Sequence, residues 1–325
     1  MNNDVFKILL LQALPASGKS EVRNFMANMD PEVLKSEFHV GENLQLDDFP
    51  YVFLMRRIDE VLEEMGEPRI YYPGEDPFND GRDWGTLSHL LNEDYHDLIN
   101  RNIVNCDSVA EYYFDRLDRA SQMEGLAPRI ALLKADIRKK VAEKLEDLCR
   151  SMKAEKESQY TDDLAGKTIV IENSRGGMDG SAMPLTGTQG YQYSLPRYCP
   201  EILENAAILY IWVTPEESRR KNIARCNPDD PGSNLNHMTP ESVMLHDYGC
   251  DDMLYLKEIS DVEDTVKVDA YGKTYHVPIA VIDNRVDLTT MFRSEPEEWD
   301  KDAVESFTAV TRKATDTMWK NYRKQ

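Results

Sequence analysis

Cysteine is scarce in this chain. The five residues, Cys106, Cys149, Cys199, Cys226 and Cys250, are odd in number and widely spaced over 325 positions. None forms a C-x-x-C pair, so the sequence carries neither a disulfide framework nor a zinc signature, and reduced thiols in a cytoplasmic protein are the expectation. No apolar run approaches the ~20 residues needed to span a bilayer. The N-terminus lacks a basic n-region and a cleavage site. Basic residues are in deficit: 38 Lys and Arg against 59 Asp and Glu leave a net charge of −21. Such a surface repels a phosphodiester backbone, which disfavours DNA, RNA and anionic membranes as partners. Internal repeats and low-complexity tracts are absent as well. What remains, with 41% hydrophobic residues, is enough to bury a sizeable core. It fits one large α/β domain over 1–325.

The most informative stretch lies near the start. The apolar run Phe6–Leu11 ends in Gln12-Ala13-Leu14-Pro15-Ala16-Ser17-Gly18-Lys19-Ser20. Val22, Phe25, Met26 and Met29 follow at helical spacing. This order predicts strand, loop and helix, with Lys and Ser where a triphosphate requires them. Backbone N–H groups of such a loop cradle phosphate oxygens. Lys19 would reach the β- and γ-phosphates, and Ser20 would hold Mg²⁺. Ala13 stands where the pattern has glycine, so the loop must begin at negative φ. The plain alternative is an accidental string in a turn.

Further apolar runs at Thr168–Ile171, Ala207–Val213 and Pro278–Ile282, with a weaker one near Phe38–Val40, read as buried parallel strands. Helical stretches separate them, which predicts a doubly wound α/β fold with its ligand at the carboxyl ends of the strands. Residues 107–160 interrupt this rhythm. One helix is read over Val109–Ala120, and a long amphipathic one from Ile130 to Met152, as an inserted helical hairpin. Packing against the core is its plain role; a homodimer interface or a substrate cover are the alternatives. Thr214-Pro215-Glu216-Glu217 is a capping box, and Thr239-Pro240-Glu241 repeats the Thr-Pro start. Residues 215–260 are read as a lid region. Val266–Asp269 and Lys273–Val277 read as a hairpin, and Asp302–Tyr322 as a surface helix.

Phosphoryl transfer needs a phosphate cradle, a metal site, a carboxylate facing the acceptor and cations over the transferring group. Asp47 and Asp48, after the second strand, are the carboxylate candidates; a solvated acidic turn is the alternative. Glu172, ending the strand Thr168–Ile171, sits where an acid bridges to Mg²⁺ through water. Arg175 follows in a glycine-flexed turn, suited to a substrate carboxylate or phosphate or to a structural ion pair. Arg219, Arg220 and Arg225 lie on the helix begun by Thr214 and would close over the phosphates, unless they only complement its dipole. Tyr51, Trp84, Tyr71, Tyr72 and Asp83 are candidates for an acceptor pocket that stacks on a ring. Asn284, after the last strand, either faces a base or caps the next turn.

These residues resemble the P-loop small-molecule kinases, the superfamily of nucleoside, nucleotide and sugar kinases. Leu14–Ser20 resembles their Walker A. Asp47-Asp48-Phe49 resembles the D-x-F motif of the uridine kinase and phosphoribulokinase group, in which the Asp is the base. The helix Pro215–Arg225 resembles the arginine-bearing helix leading into their lid. The resemblance implies a three-layer fold with a parallel sheet in the order 2-3-1-4-5 and an MgATP donor. Ala13, Pro15, Ala16, Ser17, Gly18, Lys19, Ser20, Glu21 and Arg219 would bind the nucleotide. Lys19, Asp47, Asp48, Arg220 and Arg225 would carry catalysis, Ser20 and Glu172 the metal, and Tyr51, Trp84 and Arg175 the acceptor. The expectation is an ATP-dependent phosphotransferase on a small molecule, best a nucleoside or nucleoside monophosphate. The alternative is a nucleotide-dependent switch with slow hydrolysis; the absence of an N-K-x-D motif weakens its GTPase form.

Overall fold

The computed structural model describes residues 4–224 and 238–324. β1 (Ile8–Gln12) is buried at every position, as an uninterrupted apolar run requires. It pairs in parallel with β3 (Lys167–Asn173) on one side and β4 (Ala206–Trp212) on the other. β2 (Glu42–Asp47) adds to β3, and β6 (Lys273–Asp283) to β4, both in parallel. β5 (Thr265–Ala270) pairs antiparallel with the first half of β6. The six-stranded sheet is therefore mixed, in the order β2-β3-β1-β4-β6-β5. This differs from the five-strand parallel sheet expected. The hairpin arm beginning at Lys273 runs on without a break into the strand at Pro278–Ile282, and its partner becomes an antiparallel edge.

The second strand lies further along the chain than expected. Phe38 ends α2 (Pro31–Phe38), a helix capped by Asp30 and begun by a proline, and His39 turns the chain in the left-handed region. Phe38 and Val40 are buried, but as core contacts of that turn, not as strand residues.

One face of the sheet is covered by α1 (Lys19–Ala27), α2 and α12 (Lys301–Tyr322). α12 is more than a surface helix, because Phe307 and Met318 are fully buried in the core on this face of the sheet, where the helix packs on β6, β4 and α2. Phe6 packs edge-on against Trp319 and Tyr322, with ring centroids 5.0 and 5.1 Å apart. The Lys7 amide donates to the Tyr322 hydroxyl at 3.0 Å. The opposite face carries α4 (Asp83–Asn100), the short helices α7 (Gly190–Ser194) and α8 (Pro200–Asn205), and α11 (Met253–Glu258).

A separate apolar core joins α3 (Phe49–Glu64) to α5 (Val109–Met123) and α6 (Ala135–Ser158). Segment 107–160 thus spends its apolar stripe on the body of the protein. The long helix starts later than its periodicity indicates. Ile130 is buried, but it sits in a turn whose Ile130 and Ala131 amides donate to Asp118 at 3.1 and 2.7 Å. α9 (Pro215–Ala224) begins as the sequence indicates, with the Glu217 amide donating to Thr214 Oγ1 at 3.2 Å. α10 (Glu241–His246) starts after Pro240, and Thr239 pairs with Asn222 instead of capping it. Among the described residues, no helix is long and apolar enough to cross a membrane.

Candidate functional site

The loop between β1 and α1 is tied down by its carbonyls. Ala13 O accepts from the Tyr191 hydroxyl at 3.2 Å, Pro15 O from Ser218 Oγ at 2.7 Å, and Ser17 O from Asn284 Nδ2 at 2.8 Å. Ala16 and Gly18 take positive φ, 56° and 109°, whereas Ala13 does not. A Cβ at Gly18 would lie 2.4 Å from Thr289 Oγ1, so both conformation and space demand glycine there. Gly18 brings no capping side chain to α1, and the first N–H groups of a helix lack intrahelical acceptors. The loop therefore turns acceptors inward and leaves a helix N-terminus without a side-chain cap, the arrangement that suits an anion. Lys19 Nζ donates to Ser174 Oγ at 2.6 Å and reaches Ala13 O and Leu14 O at 3.4 and 3.5 Å.

The loop opens onto a cleft of about 930 Å³, its mouth included. Pro15, Ala16, Gly18, Lys19, Ser20 and Glu21 form one side, and Asp47, Asp48 and Glu172 the floor. The far wall comes from Phe49, Val52 and Arg56 of α3, from Tyr72, Phe78 and Trp84, and from Val243, Asp247 and Tyr248. Ala13 and Ser17 are buried behind the loop. Parallel pairing sets Asp47 directly beside Glu172 at the strands' carboxyl ends. Burial, then the charges of Glu172 and Asp48, push the Asp47 carboxyl up to about 7. Its Oδ1 accepts from the Phe49 amide at 2.9 Å. Glu172 pairs with Arg23 at 3.0 Å and Glu21 with Arg293 at 2.5 Å. Asp48 is buried and pairs with Arg175 at 2.6 Å; burial raises its carboxyl and Arg175 works against that rise.

Other candidates from the sequence stand elsewhere. Arg175 is 2% exposed and is not among the residues that line the cleft. It sits behind the wall, between Asp48 and the Trp84 ring, whose centroid is 5.0 Å from its guanidinium. Tyr51 points into the helical core and donates to Asp94 Oδ2 at 2.7 Å, away from the acceptor wall. Tyr71 and Asp83 are buried around Arg129, which lies 4.3 Å over the Tyr71 ring and pairs with Asp83. Arg219 faces Asp179 and Glu216 at 3.5 and 3.7 Å, and Arg220 pairs along the exposed side of α9 with Glu217 at 2.7 Å. Neither lines the cleft, because each finds an acid within its own helix or beside it. Arg225 lies outside the described residues. Asn284 holds Ser17 O and accepts from the Leu288 amide at 2.7 Å, so it braces the loop and caps the next turn.

Arg56, Phe78, Ser174, Asp247 and Tyr248 were not singled out by the sequence. Tyr248 and Asp247 reach the cleft because an isolated bridge pairs Gly177 with Cys250. Gly176 makes room for it, since a Cβ there would stand 2.4 Å from Cys250 O and 2.7 Å from Asp247 O. No local pattern in the sequence encodes that contact. No family model matches the chain, and neither the curated proteins nor the solved structures contain a significant match.

Proposed function

We propose that this protein is a phosphotransferase that moves the γ-phosphoryl group of ATP, with Mg²⁺, to a small-molecule acceptor, best a nucleoside or nucleoside monophosphate. One observation carries the reading: a loop with its carbonyls tied back, closing on Lys19 and Ser20, opens onto a cleft floored by Asp47, Asp48 and Glu172. The loop amides and Lys19 suit the β- and γ-phosphates; Lys19 would exchange Ser174 Oγ for phosphate oxygen. Ser20 and Glu172 line the cleft beside the loop and fit Mg²⁺. When bound, the ion supplies charge neutralisation to the transferring phosphate. Asp47 takes the proton of the acceptor hydroxyl as its oxygen bonds to the γ-phosphorus. The bond from that phosphorus to the bridging oxygen breaks, and ADP leaves with the electron pair. Asp48, held by Arg175, orients the hydroxyl.

The switch reading has less support. Segment 107–160, which would carry the partner surface, buries its apolar stripe in the protein's own core.

The direct test is calorimetry with MgATP, followed by an ADP-release screen over nucleosides, nucleotides, sugars and cofactor precursors. Binding that Lys19→Ala abolishes, with ADP released only when an acceptor is present, is the expected result. Absence of any ATP or GTP binding by the wild-type chain sinks the proposal.

A further inference from the structure

The far wall of the cleft is built of rings that fix one another. Tyr72 stacks on Phe78 at 4.4 Å, and Trp84 meets Phe78 and Tyr248 edge-on at 5.1 and 5.6 Å. Asp59, buried on α3, grips this wall from behind. Its carboxylate accepts from the amides of Ile70 at 2.7 Å, Tyr71 at 3.0 Å and Tyr72 at 2.6 Å. The wall is therefore formed before any ligand arrives, which lowers the ordering cost of binding a flat molecule.

The polar groups on this side are unevenly distributed. Binding a phosphate monoester takes Arg or Lys donors aimed at its oxygens. Among the described residues, Arg56 is the one cation on the acceptor side of the cleft. It already donates to Gly74 O at 3.2 Å and lies 4.0 Å over the Tyr72 ring. Arg23 and Arg175, which adjoin the floor, are paired with Glu172 and Asp48. Asp247 lines the cleft together with the rings instead. A carboxyl brings hydrogen-bond acceptors to that wall and suits an N–H edge.

We infer that the acceptor is unphosphorylated: a flat heteroaromatic ring lies against Phe78 and Trp84, its N–H edge on Asp247, and its hydroxyl-bearing arm reaches Asp47. This rests on the phosphotransfer reading for the role of Asp47, but ring recognition by Asp247 is a binding statement that stands or falls separately. Asp247 is the residue that decides specificity; it touches no reacting atom.

The experiment is calorimetry on the full chain in MgADP, with adenosine, guanosine and cytidine, their 5′-monophosphates, and glucose as probes. MgATP binding is measured in parallel on every protein. At least one nucleoside should bind at least tenfold tighter than its monophosphate, and glucose should not compete. Asp247→Asn should weaken that nucleoside at least tenfold. Val52→Trp, which fills the cleft from α3, should abolish it, so that a poorly folded Asp247 variant does not decide the matter. Equal or tighter binding of the monophosphate overturns the inference, as does a nucleoside affinity untouched by both substitutions, or failure of every nucleoside to bind. If MgATP binds in those cases, the phosphotransfer reading survives them. If a nucleoside binds as described but MgATP does not, the failure belongs to that reading alone.

Discussion

Asp47 and Glu172 lie side by side at the ends of two parallel strands, and burial, with the charges of Glu172 and Asp48, raises the Asp47 carboxyl to about 7. Asp47 lines the cleft at the end of its strand, where it can take a hydroxyl proton. Asp47→Asn should lower kcat by about 100-fold or more, the usual weight of a general base, with KM for ATP nearly unchanged. The acid limb of the wild-type pH–rate profile should vanish with it. An unchanged rate assigns the role to Asp48. The place of Lys19 and Ser20 at the turn from β1 into α1 was legible in the sequence because it is set by neighbours a few positions away. Tyr51, Arg175 and Arg220 were not. Each is placed by an acid the sequence does not mark as its partner: Asp94, Asp48 and Glu217.

Among the elements, the loop before α1 depends on α9 and on the turn after β6, through Ser218 and Asn284. Asn284→Ala removes the bond to Ser17 O and the cap on Leu288, and should cost about 1–3 kcal/mol of stability. Chemical denaturation reads that loss, and amide exchange at residues 13–18 should quicken. Gly176→Ala should cost more, about 2–4 kcal/mol, since its Cβ meets two backbone carbonyls that cannot yield separately. Wild-type stability in the Gly176→Ala variant would show that the chain segments at 176 and 250 part easily. The sequence displayed the central strands plainly because each is a continuous apolar run. It hid β2, whose pattern Glu-Asn-Leu-Gln-Leu-Asp alternates as an edge strand does. It placed the start of α6 too early because Ile130 keeps helical spacing while belonging to a turn. The antiparallel edge was half visible: the hairpin was legible, but not its continuation into the sheet.

For the whole molecule, buried carboxyls divide into two groups with opposite effects on stability. Burial lifts Asp47 and Asp247 to about 7 and Asp251 to about 6. The folded protein keeps those protons where the unfolded chain, with Asp at 3.8, has shed them. Stability therefore falls as pH rises from about 4 to 7. Glu124 and Asp287, which burial alone would push up, are held down to about 2 by hydrogen bonds, from His89, Arg197 and Tyr193 to the first and from Thr290 and Lys221 to the second. Their contribution is present above about 4 and is lost as pH falls towards 2. Tm should accordingly peak near pH 4–5, and Asp47→Asn should flatten its decline towards neutrality. A scan in which Tm climbs steadily from pH 5 to 8 contradicts this. The contact of Phe6 and Lys7 with Trp319 and Tyr322 has a consequence for biosynthesis. The residues that lead into β1 are packed by a helix whose Tyr322 comes 315 positions after Lys7. During synthesis that apolar lead-in stays uncovered until residues 301–322 have emerged, so a product arrested before them should need chaperone shelter that the folded protein does not.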